Sequence, residues 1–315
     1  MSLQDVADAL GRELPEKVRT DAPLAPLTTY RLGGPAAILC EPGEPADVLA
    51  VARVLRSMDA DVPVLVLGRG SNTVVSDGGW TGLVLHVAGG LASIDDGDAG
   101  RPVAGAGVSM PQLANWAARR GLTGLEFMIS IPGSVGGGVR MNAGAHGGDV
   151  AQVLVTASVL DLDTMDLGER PLADLGMSYR RSALGPRHVV IDARFSLEPA
   201  PPAAIRERME SFRRHRAATQ PGAASNAGSV FKNLEGDAAG RLVEAAGLKG
   251  FSVGGARVSE MHANFFVAGP GATSQDVFDL VHAVQLRVSS AFGIVLEPEV
   301  RFAGPFREPV SAGSA

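Results

Sequence analysis

A single cysteine, Cys40, stands among 315 residues, so no disulfide can close within the chain, and a reducing, cytoplasmic location is the simple expectation. Its surroundings, "AAILCEP", are apolar, which suits a packing residue better than a nucleophile. Long hydrophobic runs are also missing: no stretch reaches the ~18 apolar residues that a membrane helix needs. The opening residues, "MSLQDVADALGREL", lack the cationic start and continuous apolar centre of a signal peptide. Six histidines show no close pair and no cysteine partner at ligand spacing, so no metal site is expected. Nor is there an excess of positive charge. A net charge of −6 argues against nucleic acid as the main partner, while leaving room for a local cationic pocket.

What is present is a globular composition, 45% hydrophobic and 20% charged, with length for two domains or one large α/β unit and an appendage. Glycine is abundant, at 40 residues without a collagen-like period, which points to tight turns and close backbone approaches to a ligand.

Along the chain, residues 1 to 20 read as a short helix. Apolar positions Val48, Val51, Ala52, Leu55 and Met58 have helical spacing, and "VPVLVLG" and "GLVLHVAGG" read as strands. Ser109, Arg119, Arg120 and Gly121 mark the two ends of a helix. The segment "SIPGSVGGGVRMNAGAHGGD" is too glycine-rich for a helix and too apolar for a loose linker. "VLVTASVLDL" and "HVVIDARFSLE" read as strands, and "EPAPPAAI" (198–205) as a linker. Beyond it come a charged helix, a helix closed by Gly247, and a long helix opened by Thr273 and Asp276 as a capping box. A final strand, "IVLEPEVRF", would place Glu297 and Glu299 on one face.

Two loops carry ligand-binding character. Gly68, Arg69, Gly70, Ser71 and Asn72 directly follow a strand, where successive N–H groups can form an anion-binding concavity. Thr73 stands where a dinucleotide fingerprint needs its third glycine, and no Gly-Lys-Ser/Thr follows, so neither a Rossmann turn nor a P-loop fits. A strand-ending turn is the plain alternative. The second loop supplies Ile131, Pro132, Gly133, Ser134, Gly136, Gly137 and Asn142, and together the two suit a cofactor with a pyrophosphate. Further on, "MSYRRSALG" groups Tyr179, Arg180, Arg181 and Ser182, which alone would pass for a solvated turn. "NAGSVFKN" gathers the hydroxyl of Ser229, the ammonium of Lys232 and the amide of Asn233 behind a glycine.

The segments "TTYRLGGPA", "LGRGSNTVVSDGG", "IPGSVGGGVRMNAGAHG", "SYRRS", "NAGSVFKN", "HANFFV" and "LEPEVRF", in this order, resemble the UDP-N-acetylenolpyruvoylglucosamine reductase (MurB) family over roughly residues 22 to 304. The resemblance implies an α+β chain: an FAD-binding fold of the PCMH/vanillyl-alcohol-oxidase type in two subdomains, then a C-terminal α+β substrate-binding domain. The expected division is an N-terminal helix (1–20), an FAD-binding domain (21–200, subdomains about 21–88 and 89–200), a substrate domain (201–304) and a flexible tail (305–315). It also implies a monomeric cytoplasmic enzyme of peptidoglycan precursor synthesis. With FAD and NADPH, such an enzyme reduces the enolpyruvyl ether of a UDP-sugar to UDP-N-acetylmuramate.

Carried over by matching position, Ser229 would protonate the α-carbon, Arg180 would face the substrate carboxylate, and Glu299 would stabilise developing charge. Tyr179, Lys232, Asn233 and His262 would contact substrate. Only six residues separate Ser182 from "VVIDARF", which resembles the shorter type II branch. A lysine found in some relatives has no match near Ala217 and Ala218, beside Arg216, and His146 occupies a position where tyrosine is common. Two other readings share the glycine loops: an alcohol or sugar-lactone oxidase of the same flavin superfamily, and a flavin-binding module without catalysis.

Overall fold

Helix α1 (Leu3–Glu13) opens on a reciprocal cap, in which the Ser2 hydroxyl accepts from Asp5 N–H and the Asp5 carboxylate accepts from Ser2 N–H. Its buried positions, Val6, Ala7 and Leu10, share a core with Val48, Val51, Ala52 and Leu55 of α2 (Pro45–Ser57). The helix read over residues 1 to 20 therefore stops early, and Val18–Pro23 is already a strand. In the computed structural model, residues 2–59, 61–98, 100–222 and 225–309 are described.

The chain divides into two compact units that interleave in sequence. Unit 1 takes 1–22, 37–69 and 82–216, and unit 2 takes 23–36, 70–81 and 217–315. A linear partition with a boundary near residue 200 does not follow this crossing of the chain.

Unit 1 holds a four-stranded sheet in the order Val18–Pro23, Pro35–Cys40, Trp80–His86, Val64–Leu67, the last two parallel. A five-stranded antiparallel sheet runs Leu167–Pro171, Leu154–Asp161, His188–Phe195, Arg101–Gly105, Ile94–Asp98. Helix α3 (Met110–Arg119) has Ser109 as its N-cap, and Gly121 just beyond it takes φ +68°. Cys40 is fully buried in this core, and burial pushes its thiol up to about 12, as expected of a packing residue.

Two expectations fail in unit 1. Residues 198–205 are not a free linker: Glu198–Pro199 pairs with Leu122–Thr123, and α5 (Pro202–Thr219) starts at once, burying Ile205 and Met209. Proline is tolerated in a first helical turn, where its missing N–H has no partner to lose. The glycine-dense segment, in turn, does form a helix, α4 (Val135–Met141). Tertiary packing overrides the poor propensity there. A Cβ on Gly136 would lie 2.8 Å from that of Ala106, and one on Gly138 would lie 3.0 Å from the Met110 sulfur.

Unit 2 is built on α7 (Ser274–Phe292), which carries the expected capping box of Thr273 and Asp276 and ends at Gly293 with φ +70°. Asp77 accepts from the N–H groups of Ser274 and Gln275, a second anchor on the same helix end. The core joins Val277, Leu280, Val281 and Val284 to α6 (Ala239–Ala245) and to the three-stranded sheet Ser252–Val253, Ala256–Val258, Phe266–Ala268. The last strand is only Arg301–Ala303, parallel to Thr73–Val75, and not the run from Ile294. Just before it, Pro298 pairs with Phe231 as an isolated antiparallel bridge, which needs no N–H from the proline.

Part of the expected tail is anchored. Arg307 exchanges hydrogen bonds with Gln275, and Phe306 stacks on Phe278 at 4.7 Å. Residues 310–315 of that tail lie outside the described residues. No helix among the described residues is long and apolar enough to cross a membrane.

Candidate active site

In unit 1 the strand Val64–Leu67 delivers Gly68 against the second loop. A Cβ at Gly68 would lie 2.4 Å from the Ser134 hydroxyl, so a larger residue would displace that hydroxyl. Ser134 is buried and caps α4 by accepting from Gly137 N–H at 3.3 Å. The first N–H groups of α4 are committed to the protein: Val135 to Val108 O, Gly136 to Ala106 O, Gly138 to Ser134 O. Gly137 is the exposed glycine of this turn, Gly133 is buried, and Ile131 and Pro132 are half-buried beside it.

The first loop differs. Among the described residues none accepts from the backbone N–H groups of Arg69, Gly70, Ser71 or Asn72. Gly70 has φ +58°, the reversal that turns successive N–H groups into a concavity. A loop with open donors, next to a strand end where a side chain would collide, fits the pyrophosphate of a dinucleotide such as FAD.

Asn142, expected at the cofactor, also makes two hydrogen bonds within unit 1 through its amide. Its Nδ2 donates to Ser178 O at 3.0 Å and its Oδ1 accepts from Ala151 N–H at 2.9 Å. Together with Ser182, whose hydroxyl donates to Arg140 O at 2.7 Å, and Arg140, which donates to Gly185 O at 2.8 Å, it ties the segment around Arg180 to α4. Ser178 and Arg181 exchange backbone bonds at 3.0 and 3.1 Å across the intervening turn. Arg180 takes φ +55° there, an unfavourable region for a residue with a Cβ, costing about 1 kcal/mol or more. Its guanidinium donates to Gly144 O at 2.7 Å and lies 5.0 Å from the Tyr179 ring, which is exposed.

Nearby in unit 1, His146 stacks on Phe212 at 4.2 Å and pairs with the Ser130 hydroxyl at 3.0 Å. Burial, with His215 and Arg216 beside it, holds His146 below the usual histidine range. Arg216 donates to the Ser130 carbonyl, one residue before Ile131. Sequence reading left both residues without a task; the structure gives them one in bracing the second loop.

In unit 2 the Ser229 segment lies between two neighbours. On one side Lys232 N–H donates to Glu297 O at 2.9 Å and Glu299 N–H donates to Val230 O at 2.7 Å. On the other, Val230 N–H donates to Asn264 O at 2.8 Å, and Ser229 bridges Phe265. The segments that carry Ser229 and Glu299 thus adjoin as hydrogen-bonded neighbours. Gly228, before Ser229, has φ +75° and open space where a Cβ would be. Asn226 shapes this turn by accepting from Gly228 N–H at 3.0 Å.

The Lys232 ammonium lies 2.6 Å from the Glu297 carboxylate, so its partner is that acid. Asn233 accepts from Ala239 N–H at 3.1 Å, and His262 packs on Phe265 at 4.8 Å and against Gly240; both mark the start of α6. Burial keeps His262 below the usual histidine range. Asn72 donates through Nδ2 to Glu299 O at 3.0 Å, so the first glycine loop also steadies the final acid.

Comparison with known proteins gives a consistent result. The family model for the C-terminal domain of UDP-N-acetylenolpyruvoylglucosamine reductase matches residues 220–303, and a model described as an FAD binding domain matches residues 36–166. The chain is 47% identical over 293 residues to UDP-N-acetylenolpyruvoylglucosamine reductase 2 of Symbiobacterium thermophilum, covering 92% of this chain and 93% of that protein. It is 43% identical over 286 residues to the reductase of that name from a Synechococcus species, covering 90% and 92%. The crystal structure of the MurB reductase from Thermus caldophilus is similar to it with a TM-score of 0.76 at 35% identity, over 91% of this chain and 98% of that one.

Proposed function

This chain belongs to the UDP-N-acetylenolpyruvoylglucosamine reductase family, and from that we propose that it reduces the enolpyruvyl ether of UDP-N-acetylglucosamine enolpyruvate to UDP-N-acetylmuramate, using FAD and NADPH. The observation that carries this reading is the pairing of the Ser229 and Glu299 segments within a domain that matches the family's C-terminal model.

An enol ether conjugated to a carboxylate takes hydride at its terminal carbon, and negative charge then spreads from the α-carbon into the carboxylate. Side chains have no hydride to give; FAD supplies it when bound, and NADPH renews it. The loop Gly68–Arg69–Gly70–Ser71–Asn72 would hold the pyrophosphate through its open N–H groups, with Ile131, Pro132, Gly133, Ser134, Gly136 and Gly137 as the facing loop.

The remaining chemistry belongs to the chain's own residues. In this reading Arg180 binds the substrate carboxylate, where a planar guanidinium offers two parallel donors. Its turn is fixed from both ends, so little reorganisation is needed as charge develops. Glu299 shares in stabilising that charge, and the Ser229 hydroxyl delivers a proton to the α-carbon. A serine is a weak acid in water, so the proton leaves only where the resulting oxyanion is supported. Lys232, held by Glu297, contributes positive charge along the same segment. Tyr179, Asn233 and His262 serve substrate binding. The proposal extends to a monomer of the shorter type II branch, working in the cytoplasm on peptidoglycan precursors.

Purified protein tests this directly. It should be yellow, bleach with NADPH, and recover its colour without oxygen when the enolpyruvyl UDP-sugar is added. Colour that an alcohol bleaches and oxygen restores, with the enolpyruvyl UDP-sugar without effect, would favour an oxidase, and colour that NADPH leaves unchanged would favour a binding module.

A further inference from the structure

Ser229 and Glu299 share a support that neither motif announces, the buried side chain of Asn264, which is 2% exposed. Its carboxamide grips one residue twice: Oδ1 accepts from Phe231 N–H at 2.9 Å, and Nδ2 donates to Phe231 O at 2.8 Å. The backbone carbonyl of Asn264 accepts from Val230 N–H at 2.8 Å. Two successive N–H groups therefore turn toward a single residue, as happens at a bulge and not in a regular strand. The Val230 carbonyl faces the other way, where it accepts from Glu299 N–H at 2.7 Å and from Val300 N–H at 3.3 Å.

A side chain with one acceptor and one donor at its tip is needed to replace a strand partner in this way. Apolar residues leave Phe231 with two unmet polar groups in a buried setting, and a hydroxyl is too short to meet both. We propose that Asn264 is a positioning residue whose double hold on Phe231 sets the geometry of the Ser229 hydroxyl relative to the Glu299 carboxyl. This rests on the roles given above to Ser229 and Glu299.

Anaerobic stopped-flow absorbance on the holoenzyme separates the two half-reactions. Asn264→Ala is expected to slow recovery of the flavin colour by the enolpyruvyl UDP-sugar by about 10- to 100-fold, since ångström-scale misplacement costs that much, and to leave bleaching by NADPH unchanged. Deuterium uptake across 226–234 should rise in the same variant.

Asn264→Asp gives a sharper readout. Burial favours the neutral carboxylic acid, which accepts and donates as the amide does. Its substrate half-reaction should approach wild type at low pH and fall as the acid ionises, a step absent from wild type, in which His262 titrates equally. Recovery at the wild-type rate in Asn264→Ala, or equal slowing of both halves, overturns the proposal. So does an aspartate variant whose pH profile parallels wild type, and this decides the matter should the alanine variant fail to fold. Ser229→Ala run alongside separates the two ideas: slow recovery there with normal Asn264 variants removes only the positioning role, whereas normal recovery in Ser229→Ala removes the catalytic assignment itself.

Discussion

The Thr29 hydroxyl donates to the Asn226 carbonyl at 2.6 Å, joining residues 197 positions apart. The neighbouring Tyr30, 2% exposed, donates its hydroxyl to Phe266 O at 2.8 Å. The segment "TTYRLGG" is thus a brace for the "NAGSVFKN" turn and for the strand after "HANF", and its task is structural. Burial also pushes the Tyr30 phenol well above its ordinary range, so it remains a donor at every working pH.

Tyr30→Phe removes that donor and leaves the Phe266 carbonyl without it in the core. A loss of about 1–3 kcal/mol is expected, read as a lower urea midpoint with an unchanged denaturant slope. A midpoint equal to wild type would show that the hydroxyl is dispensable.

Ser229→Ala should leave bleaching by NADPH intact and slow the substrate half-reaction by about 100-fold or more, the usual contribution of a positioned acid. Wild-type rates in both halves, or equal slowing of the two, would remove Ser229 from the role of proton donor.

Gly70→Ala tests the first loop. A Cβ there would lie 2.3 Å from Leu27 O and 2.7 Å from the Thr28 Cα, and φ is +58°. Strain alone should cost about 1–3 kcal/mol, and the backbone clash adds to it. The expected result is protein with weakened FAD retention after gel filtration; full retention with unaltered melting would contradict the loop's geometry.

Arg180→Lys keeps the charge and loses the fork. The guanidinium bond to Gly144 O at 2.7 Å and the match to a carboxylate both go. A fall in kcat/KM of about 10-fold or more is expected, corresponding to roughly 1.4 kcal/mol of lost transition-state stabilisation. Turnover equal to wild type would separate Arg180 from the carboxylate.

Stability should decline on the acid side of neutrality through His262. Burial, the largest cause, lowers its folded pKa below the ordinary 6.5, so the unfolded chain binds more protons in that window. Stability therefore rises with pH there: the contribution is complete above about 6.5 and drains away as pH falls toward the lowered value. His262→Gln should flatten this slope in melts between pH 5 and 7, where pH 5 to 7 is roughly the span of ordinary histidine titration. An unchanged slope would place the acid sensitivity elsewhere.

Much of the site was legible because it is written in local terms. Loop glycines follow a strand, Ser229 follows a glycine that must take positive φ, and Thr273 and Asp276 cap α7 within one turn. Contacts between distant segments escaped. The bonds by which Asn142 secures Ser178 and Ala151 were not legible, because an amide's partners depend on where the chain returns. Asn264 stood within a quoted motif, yet no spacing rule announces a carboxamide that imitates a strand. Lys232 could be paired with Glu297 only once residue 297 was brought beside it.

By itself the sequence determined the chemical inventory, the places of the main helices and strands, and several turns that call for glycine, since these follow from side-chain chemistry, periodicity and local sterics. Tertiary structure decided that a triple-glycine run becomes α4, that the chain interleaves between two units, and which polar group answers which. The physical reason is that burial and hydrogen bonding between remote segments outweigh local propensities of a fraction of a kcal/mol to about 1 kcal/mol per residue.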